Sequence, residues 1–387
     1  MKKALIVGGN SGIGLALVLK LLQKGYEHVY IVGKAEINVA DVSPLELEKL
    51  KAKTSFYRVN LINGDYKVFD EISDINALFI TVGFGRVAKF EDLTKKEVEN
   101  LIKCNMLANI AVIKHYYDKI ASHKDFYCAV MGSIAGHVAS PLFSVYGATK
   151  FGLCSFIENV NAELSCSGYK NRILDVSPGS LKGTNFNGQG NDITQVSEVA
   201  DSILEKAFNR ETLYIPQYNE VYKGVIDRYH ANPQEFAKQS YEYKINSGRY
   251  SNKPQVTVGY LSGTFDLFHI GHLNLLKRAK EQCDYLVVGV HKSGAWKGKE
   301  TFIPFEERRA IVESVKYVDL AIESFPEDAD AHAVYHYNKL FVGSDYKGSE
   351  RFLKYEEFFK DKGVEIVYFP YTQGTSSTQL REKLSKK

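Results

Sequence analysis

Residues 263–272, Gly-Thr-Phe-Asp-Leu-Phe-His-Ile-Gly-His, join an apolar run to a segment of helical periodicity. The apolar run Val256–Leu261 predicts a strand, and Leu273–Glu281 predicts a helix. A second loop, Gly-Gly-Asn-Ser-Gly-Ile-Gly at residues 8–14, follows the first apolar run of the chain. A glycine-rich turn from strand to helix is typical of parallel α/β sheets. Two such turns, far apart in sequence, therefore predict two sheets of this kind.

The length and charge of the chain narrow its class. The 387 residues are too many for one ordinary domain. A net charge of +3 does not favour nucleic-acid binding, and no apolar run is long enough to predict a membrane span. The start of the chain lacks the features of a signal peptide. The 5 cysteines are scattered, which argues against disulfides and a zinc site, so no metal-ligand set is predicted and we expect a cytoplasmic protein.

The order of the apolar runs predicts two α/β domains separated by a linker. Residues 1–231 alternate short apolar runs with helical segments, which predicts a doubly wound parallel sheet. Residues 232–254 are polar and have no strong apolar period, so they are interpreted as a linker with some helix. Residues 255–387 contain a second, shorter strand–helix series and predict a smaller α/β domain.

The first glycine loop is typical of a pyrophosphate-binding turn. Glycines there allow a tight turn and bring phosphates close to the N–H groups at a helix N-terminus. The candidate cofactor-binding residues of the loop are Gly8, Asn10, Ser11, Gly12, Ile13 and Gly14. Lys34 stands where a carboxylate would bind a ribose 2′-hydroxyl, so a 2′-phosphate, and hence NADP(H), is favoured over NAD. A merely tight turn and a solvated surface lysine are the alternative readings.

Tyr146 and Lys150 are four residues apart in a predicted helix and therefore lie on one face. A neighbouring ammonium stabilises a phenolate, so we expect the pKa of Tyr146 to be lowered. The tyrosine would then exchange a proton with a carbonyl or an alcohol. Ser133, which ends a predicted strand, is placed to hydrogen-bond the same oxygen.

Together these motifs make residues 1 to about 230 similar to the short-chain dehydrogenase/reductase family. The resemblance implies a Rossmann fold, with Tyr146 as the acid, Lys150 binding the nicotinamide ribose and Ser133 orienting the carbonyl. It implies that Asn105 supports a proton relay. It also implies cofactor contacts from residues that follow the central strands: Asn60, Leu61, Gly83, Pro178 and Gly179.

Three positions depart from this family's usual pattern. Asn60 replaces a common aspartate, and Thr81-Val82-Gly83 replaces Asn-Ala-Gly. Thr184 comes one position later after Pro178-Gly179 than the threonine that usually contacts the nicotinamide amide. None of these changes removes the catalytic set.

In the second loop, His269 and His272 flank a glycine at a predicted helix start. Two imidazoles there can donate hydrogen bonds to a triphosphate while its α-phosphorus is attacked. A zinc pair or a polar helix cap is the alternative, but zinc-binding pairs usually lie four residues apart and need a third ligand. Lys297 and Lys299 add charge after the next strand, and residues 372–378 form a hydroxyl-rich helix start suited to outer phosphates.

Residues 256–387 resemble the cytidylyltransferase family, most closely the small bacterial glycerol-3-phosphate cytidylyltransferases. The resemblance implies attack of a substrate phosphate on CTP, with Mg²⁺ on the leaving pyrophosphate. His269, His272 and Lys299 would be catalytic. The implied CTP-binding residues are Gly263, Thr264, Phe265, Lys297, Arg308, Asp345, Thr372, Ser376, Ser377 and Thr378. Tyr371 stands where this family often has an arginine that contacts phosphate, and Lys316 stands where it often has an arginine near the cytosine pocket.

The two resemblances together predict a bifunctional enzyme. It would reduce a sugar phosphate with NADPH and then convert the polyol phosphate and CTP into a CDP-polyol of the CDP-ribitol or CDP-glycerol type, for a capsule or teichoic-acid-like polymer. Two alternatives remain: a polyol-phosphate cytidylyltransferase whose reductase-like half is a scaffold or acts on an unrelated substrate, and a nucleotide-sensing protein without turnover. Both families usually self-associate, so a homo-oligomer such as a dimer is expected.

Overall fold

The structure is a computed structural model that describes residues 2–37, 41–64, 66–184, 186, 190–250, 256–294, 300–370 and 379–381. The chain divides into two compact units, Met1–Pro254 and Gln255–Lys387. No helix in the described part of the chain is both long and apolar enough to cross a bilayer.

The first unit is built on a parallel sheet with the strand order β3-β2-β1-β4-β5-β6-β7. Its strands are β1 (Lys3–Val7), β2 (His28–Gly33), β3 (Thr54–Arg58), β4 (Ala77–Ile80), β5 (Tyr127–Met131), β6 (Ile173–Val176) and β7 (Leu213–Tyr214). Its α-helices are α1 (Gly12–Gln23), α2 (Pro44–Lys53), α3 (Val68–Glu71), α4 (Lys95–Ile102), α5 (Ala108–His115), α6 (Tyr117–Ile120), α7 (Ser144–Cys166), α8 (Ile193–Phe208), α9 (Lys223–Ala231) and α10 (Pro233–Asn246).

Helices cover both faces of this sheet because its strands are apolar on both sides. Ala4 and Ile6 of β1 pack in one core cluster, which contains residues of α1 and α8. Leu5 and Val7 alternate to the opposite face and pack in a second cluster with residues of α5 and α7. The predicted doubly wound fold is therefore confirmed. Strand β7 was not predicted, because its two residues are too short to show a periodic pattern.

The second unit contains a smaller parallel sheet with the order β10-β9-β8-β11-β12. Its strands are β8 (Val258–Gly263), β9 (Tyr285–Val290), β10 (Leu320–Glu323), β11 (Lys339–Gly343) and β12 (Glu365–Phe369). Its α-helices are α11 (Ile270–Glu281), α12 (Phe305–Glu313), α13 (Asp328–Tyr335) and α14 (Glu350–Phe359). The second predicted α/β domain is thus also confirmed as a fold.

Each sheet reverses its strand order once, between β1 and β4 in the first and between β8 and β11 in the second. Ligands of open α/β sheets bind outside the carboxyl ends of the strands at such a point. The two loops singled out from the sequence follow β1 and β8, so each lies beside its switch point.

The polar segment 232–254 contains helix α10 and groups with the first unit. Near its end, Tyr250 forms an isolated bridge with Val87, and its hydroxyl donates to the Asp92 carboxylate at 2.8 Å. The proposed domain limits, with a linker at 232–254, stay a prediction.

Candidate active sites

The loop after β1 forms a tight turn that requires glycine at two positions. Gly8 has a φ of +93°, in the left-handed region. A Cβ on Gly14 would lie 2.1 Å from the Gly8 carbonyl oxygen, so only glycine lets the helix start approach the strand end. The Thr81 hydroxyl donates to the same oxygen at 3.1 Å and fixes the turn from β4. Thr81, a departure from the usual family pattern, therefore supports the loop.

The N-terminus of α1 is open to an anion. The Ser11 hydroxyl does not cap it, and its first turn contains no acidic residue. The first N–H groups of a helix have no partner within the helix and carry partial positive charge. This part of the described chain therefore fits the pyrophosphate of a dinucleotide, as the loop sequence predicted.

Two other predicted loop residues have structural contacts. Asn10 lies against Gly33, where a Cβ would be 2.7 Å from the Asn10 side-chain oxygen. Ile13 is buried in the core cluster beneath the loop. These contacts join the glycine loop to the end of β2.

Lys34 follows directly on β2 and is exposed. Arg58, at the end of β3, donates from Nε to the Lys34 carbonyl oxygen at 3.2 Å. Arg58 is a second cation at this edge that the sequence analysis missed. The parallel pairing of Gly33 with Arg58 could have indicated it, because both lie at the carboxyl end of the sheet.

Asn60 and Leu61 also lie at this edge. The Asn60 oxygen accepts a hydrogen bond from the Ile62 N–H at 3.3 Å and caps a short 3₁₀ turn. Leu61 is buried in the core. The structure thus places both predicted residues beside the loop after β3.

Tyr146, Lys150, Ser133 and Asn105 come together in the first unit. Tyr146 and Lys150 lie one turn apart on α7, and the Ser133 hydroxyl hydrogen-bonds with the Tyr146 phenol. The Lys150 Nζ lies 5.8 Å from the centroid of the Tyr146 ring. All four side chains are buried, with exposed fractions between 0% and 7%.

The protonation states differ from the sequence expectation. Burial raises the pKa of Tyr146 to about 12, although the hydrogen bond with Ser133 lowers it. Burial also lowers the pKa of Lys150 to about 8. The Lys150 ammonium donates to the Met131 carbonyl oxygen at 2.7 Å. The expected lowering of the tyrosine pKa is therefore wrong for this form of the protein, because desolvation outweighs the cation, and the phenol is protonated at neutral pH.

Asn105 lies in a π-helical turn, Lys103–Leu107, between α4 and α5. Its amide exchanges two hydrogen bonds with the Phe84 backbone, at 2.9 and 3.0 Å, and contacts the Thr149 hydroxyl at 3.3 Å. A π-helical turn inside a helix often marks a functional site. Gly83 is adjacent, and a Cβ there would lie 3.2 Å from the Lys150 ammonium.

A buried polar cluster that the sequence analysis missed supports Ser133. The Ser177 hydroxyl accepts from the Ser133 N–H at 3.1 Å, donates to the Asp175 carboxylate at 2.8 Å and lies 2.9 Å from His137 Nε2. The ligand atoms of His137, Cys154 and Asp175 all lie within 4.8 Å of one another. A carboxylate inside the otherwise apolar strand β6 was the available signal.

Pro178 and Gly179 connect this cluster to the segment 218–222. The Pro178 carbonyl accepts from the Ile134 N–H at 3.0 Å, next to Ser133. A Cβ on Gly179 would lie 1.7 Å from the Tyr222 hydroxyl, so glycine is required there. Thr184 donates to the Leu181 carbonyl at 3.2 Å, which is a local contact.

In the second unit, His269 and His272 form the N-terminal cap of α11. His269 Nδ1 accepts from the Gly271 N–H at 3.0 Å, and His272 Nδ1 accepts from the His269 N–H at 3.4 Å. The two rings stack with centroids 4.0 Å apart. Because each Nδ1 accepts, each neutral ring carries its proton on Nε2. Both rings are therefore hydrogen-bond donors at a helix start.

Burial favours the neutral form of both imidazoles. Burial lowers the pKa of His269, and it lowers that of His272 to about 4, with a further contribution from His269. The alternative of a polar helix cap is thus present in the geometry: the cap uses the Nδ1 atom of each ring, and Nε2 of each neutral ring carries the donor proton.

The loop before these histidines is held by buried contacts. Phe265 has a φ of +53°, and its ring lies 5.3 Å from the His272 ring. A Cβ on Gly263 would lie 3.0 Å from the Phe265 ring. The Asp266 carboxylate accepts from the N–H groups of Phe302 and Ile303, at 3.1 and 3.0 Å, and also binds the Arg381 guanidinium.

Arg308 has structural contacts that the sequence did not predict. Its side chain is 0% exposed. Its guanidinium donates to the carbonyl oxygens of Thr264, His291, Lys292 and Ile303. These bonds tie the loop after β8 to the loop after β9. Arg308 thus positions Thr264 and its neighbours, and its predicted contact with CTP stays a prediction.

Asp345 is exposed just after β11, at the switch point, as the prediction of a nucleotide or metal contact requires. A Cβ on Gly343 would lie 2.4 Å from its carboxylate. Lys316 lies over the Tyr317 ring at 5.2 Å. Near the end of β8, the Ser262 hydroxyl donates to the buried Asp328 carboxylate at 2.9 Å, a contact that the sequence analysis did not predict.

Several predicted residues lie outside the described residues. They are Lys297, Lys299, Thr372, Ser376, Ser377 and Thr378, and the departure at Tyr371. Their roles stay predictions.

Comparisons with known proteins divide the chain in the same way. Residues 2–193 match the family described as short chain dehydrogenase, and residues 260–383 match the family described as Cytidylyltransferase-like. A glycerol-3-phosphate cytidylyltransferase of Bacillus subtilis is 38% identical over 127 residues, which are 32% of this chain and 93% of that protein. The corresponding protein of Staphylococcus aureus is 34% identical, covering 32% of this chain and 90% of that one.

Among solved structures, a short-chain dehydrogenase from Sphingobium yanoikuyae in complex with NADPH matches with a TM-score of 0.49 and 21% identity. The match covers 60% of this chain and 96% of that one.

The chain belongs to the cytidylyltransferase family through its second unit, and its first unit is a short-chain dehydrogenase domain. Both resemblances expected from the motifs are confirmed. The chain is therefore a bifunctional enzyme with an oxidoreductase domain and a cytidylyltransferase domain.

Proposed function

We propose that the chain reduces a sugar phosphate to a polyol phosphate with NADPH and then transfers CMP from CTP to that phosphate, giving a CDP-polyol and pyrophosphate. The observation that carries the proposal is the similarity of the second unit to almost the full length of glycerol-3-phosphate cytidylyltransferases, in a chain whose first unit gathers Ser133, Tyr146 and Lys150. A carbonyl reductase fused to a polyol-phosphate cytidylyltransferase can make the second enzyme's substrate.

In the reductase step, Tyr146 donates its phenolic proton to the oxygen of the carbonyl being reduced. The pKa of about 12 supports this role, because the phenol carries its proton at neutral pH. Ser133 hydrogen-bonds with the phenol and orients the carbonyl oxygen beside it. The Lys150 ammonium and Asn105 position the proton-transfer path, and NADPH supplies the hydride when bound. The exposed cations Lys34 and Arg58 favour a cofactor with a 2′-phosphate.

In the transfer step, a phosphate oxygen of the polyol phosphate attacks the α-phosphorus of CTP, and the bond to pyrophosphate breaks. The Nε2–H groups of His269 and His272 donate to the phosphate oxygens as negative charge develops on them. The partial positive charge at the start of α11 acts in the same direction. Lys297, Lys299 and residues 372–378 would bind the remaining phosphates, with Mg²⁺ on the pyrophosphate side near Asp345.

The CDP-polyol class suits the synthesis of a teichoic-acid-like or capsular polymer, which starts in the cytoplasm. CDP-glycerol and CDP-ribitol are the first products to test. We also propose that the enzyme works as a homo-oligomer such as a dimer.

The test uses the purified chain with NADPH, CTP and a panel of ketose and aldose phosphates. We expect one sugar phosphate to support both NADPH oxidation and pyrophosphate release, with a CDP-polyol detected by mass spectrometry. The consecutive scheme would be overturned if no sugar phosphate supported NADPH oxidation while an added polyol phosphate was still converted into a CDP-polyol. Unchanged conversion of the sugar phosphate in Tyr146→Phe would instead favour a scaffold role for the first unit.

A further inference from the structure

Lys244 is a buried cation in the polar segment that follows the reductase core. It lies on α10, and the residue is only 7% exposed. Its Nζ donates to the Ser140 hydroxyl at 2.8 Å, the Pro141 carbonyl at 2.8 Å and the Ser240 hydroxyl at 3.1 Å. All of these acceptors are neutral. Burying an ammonium is costly unless an anion pairs with it, and in the described residues no carboxylate does so.

The two serines around this ammonium also have donors to offer. Each hydroxyl accepts from Lys244, and no acceptor for either hydroxyl proton is found among the described residues. The three N–H donors of the Lys244 ammonium are already used by these contacts, so the two serine hydroxyl protons are the donors left for a phosphate group, and the ammonium adds its positive charge beside them. Burial lowers the pKa of Lys244 to about 8, with a further contribution from Arg249, so a bound anion would also restore the stability of its charged form.

This donor set lies beside the candidate catalytic tyrosine. The Lys244 ammonium is 5.4 Å from the centroid of the Phe143 ring, and the Phe143 ring is 5.1 Å from the Tyr146 ring. The Phe143 ring is therefore within contact distance of both the Lys244 ammonium and the Tyr146 ring. A carbonyl at Tyr146 and a phosphate near Lys244 would occupy the two ends of one small molecule.

We propose that Lys244, with Ser140 and Ser240, binds the phosphate group of the reductase substrate. This inference rests on the proposed function, and it makes the segment interpreted as a linker part of the reductase's substrate site. Lys244 recognises the phosphate monoester at the end of a polyhydroxy carbonyl compound, while Tyr146 acts at the carbonyl. An unphosphorylated sugar lacks the group that pairs with the buried charge.

The test compares Lys244→Gln with the wild type in the full-length enzyme. Loss of charge-assisted hydrogen bonds should raise KM for the sugar phosphate by about 10- to 100-fold, with a much smaller change in kcat. The KM for the corresponding unphosphorylated sugar should not change. Inorganic phosphate should inhibit the wild-type reductase competitively, and its inhibition constant should rise in Lys244→Gln. Lys244→Arg keeps the charge, so its KM for the sugar phosphate should be close to that of the wild type.

Lys238→Gln is the matched control, because Lys238 is exposed on the same helix. NADPH binding and the thermal midpoint verify that each variant is folded. If Lys244 only clamps the loop at residues 140–143, the phosphorylated and unphosphorylated sugars will be affected equally. That result, or an unchanged KM and phosphate inhibition constant, overturns the inference while leaving the proposed function intact.

If the wild type reduces no sugar phosphate, the proposed function itself fails. The inference about Lys244 is then tested by measuring the binding of inorganic phosphate. Inorganic phosphate is then titrated calorimetrically into protein saturated with NADP⁺ and CTP. A site present in the wild type and absent in Lys244→Gln supports an anion site at Lys244. Identical phosphate binding by the two proteins overturns it.

Discussion

Both candidate sites follow the carboxyl ends of strands in their parallel sheets, but they are built differently. In the first unit, Ser133, Tyr146 and Lys150 come from a strand end and a long helix and are almost fully buried. In the second unit, His269 and His272 occupy the first turn of one helix, where His269 Nδ1 accepts from the Gly271 N–H and His272 Nδ1 accepts from the His269 N–H. The first site thus depends on tertiary packing, and the second depends mainly on local capping.

Burial is nevertheless the main cause of the protonation states in both sites. It raises the pKa of Tyr146 to about 12 and lowers that of Lys150 to about 8. It also lowers the pKa of His272 to about 4. Desolvation always favours the neutral form. The result is a protonated phenol suited to donate a proton and neutral imidazoles suited to donate hydrogen bonds.

The largest expected effect tests whether the first site is catalytic. Tyr146→Phe removes the proton donor and should lower the kcat of reduction by about 100- to 10,000-fold. Cytidylyl transfer to an added polyol phosphate should be unchanged, because His269 and His272 are in the other unit. NADPH oxidation and pyrophosphate release are measured on the same preparation. Loss of both activities would mean that the two sites are not independent.

His272→Ala makes the reciprocal test. Removing one donor to the developing phosphate charge should lower cytidylyl transfer by about 100- to 1,000-fold and leave the reductase unaffected. His336→Asn is the control, because asparagine tolerates the left-handed φ of +46° at this position. Full transfer activity in His272→Ala would show that the imidazole pair is only a helix cap.

Arg308→Met tests the role that the structure gives to a residue predicted to bind CTP. The substitution leaves four partly buried carbonyl acceptors without their donor and should lower the free energy of unfolding of the second unit by about 3 kcal/mol. Urea denaturation with and without CTP measures this. Arg309→Met, the neighbouring position on α12, is the control and should change stability little. Unchanged stability with weakened CTP binding would support the original prediction.

The parallel sheets and both loops were predictable because their signals are local. The apolar run before Gly8 and the spacing from Tyr146 to Lys150 depend on residues close in sequence. The contact of Ser133 with Ser177 joins residues 44 positions apart, and no periodic pattern indicates it. Lys244 was also missed, because a lysine in a polar segment is usually solvated and only packing buries it.

Arg308 illustrates the same limit in the second unit. The motif singled out this position but did not predict its contacts with backbone carbonyls, because a charged residue on an amphipathic helix gives no sign of being buried. Its role follows only from the carbonyl oxygens that two separate loops bring around it.

The reductase and cytidylyltransferase activities should differ in their dependence on pH, and the expected change is of intermediate size. The Lys150 ammonium is present below a pH of about 8 and is lost as the pH rises through that value, while Tyr146 stays protonated. Reduction should therefore fall by up to about tenfold per pH unit above 8. Cytidylyl transfer should show no titration of His272 between pH 6 and 8, because burial lowers its pKa to about 4. Titration of His272 in that range would contradict a neutral donor at this position.

The smallest expected effect concerns cofactor choice. Lys34 and Arg58 are exposed at the ends of β2 and β3, where the solvent screens their charge, so each contributes modestly to binding a 2′-phosphate. Lys34→Ala should reduce the preference for NADPH over NADH by about fivefold, and adding Arg58→Ala should reduce it further. The ratio of kcat/KM for the two cofactors measures the change, with Lys53→Ala at the end of α2 as the control. If the ratio stays constant in the double variant, neither cation reads the 2′-phosphate, and the preference must arise in the glycine loop, where Asn10 and Ser11 are the next side chains to test.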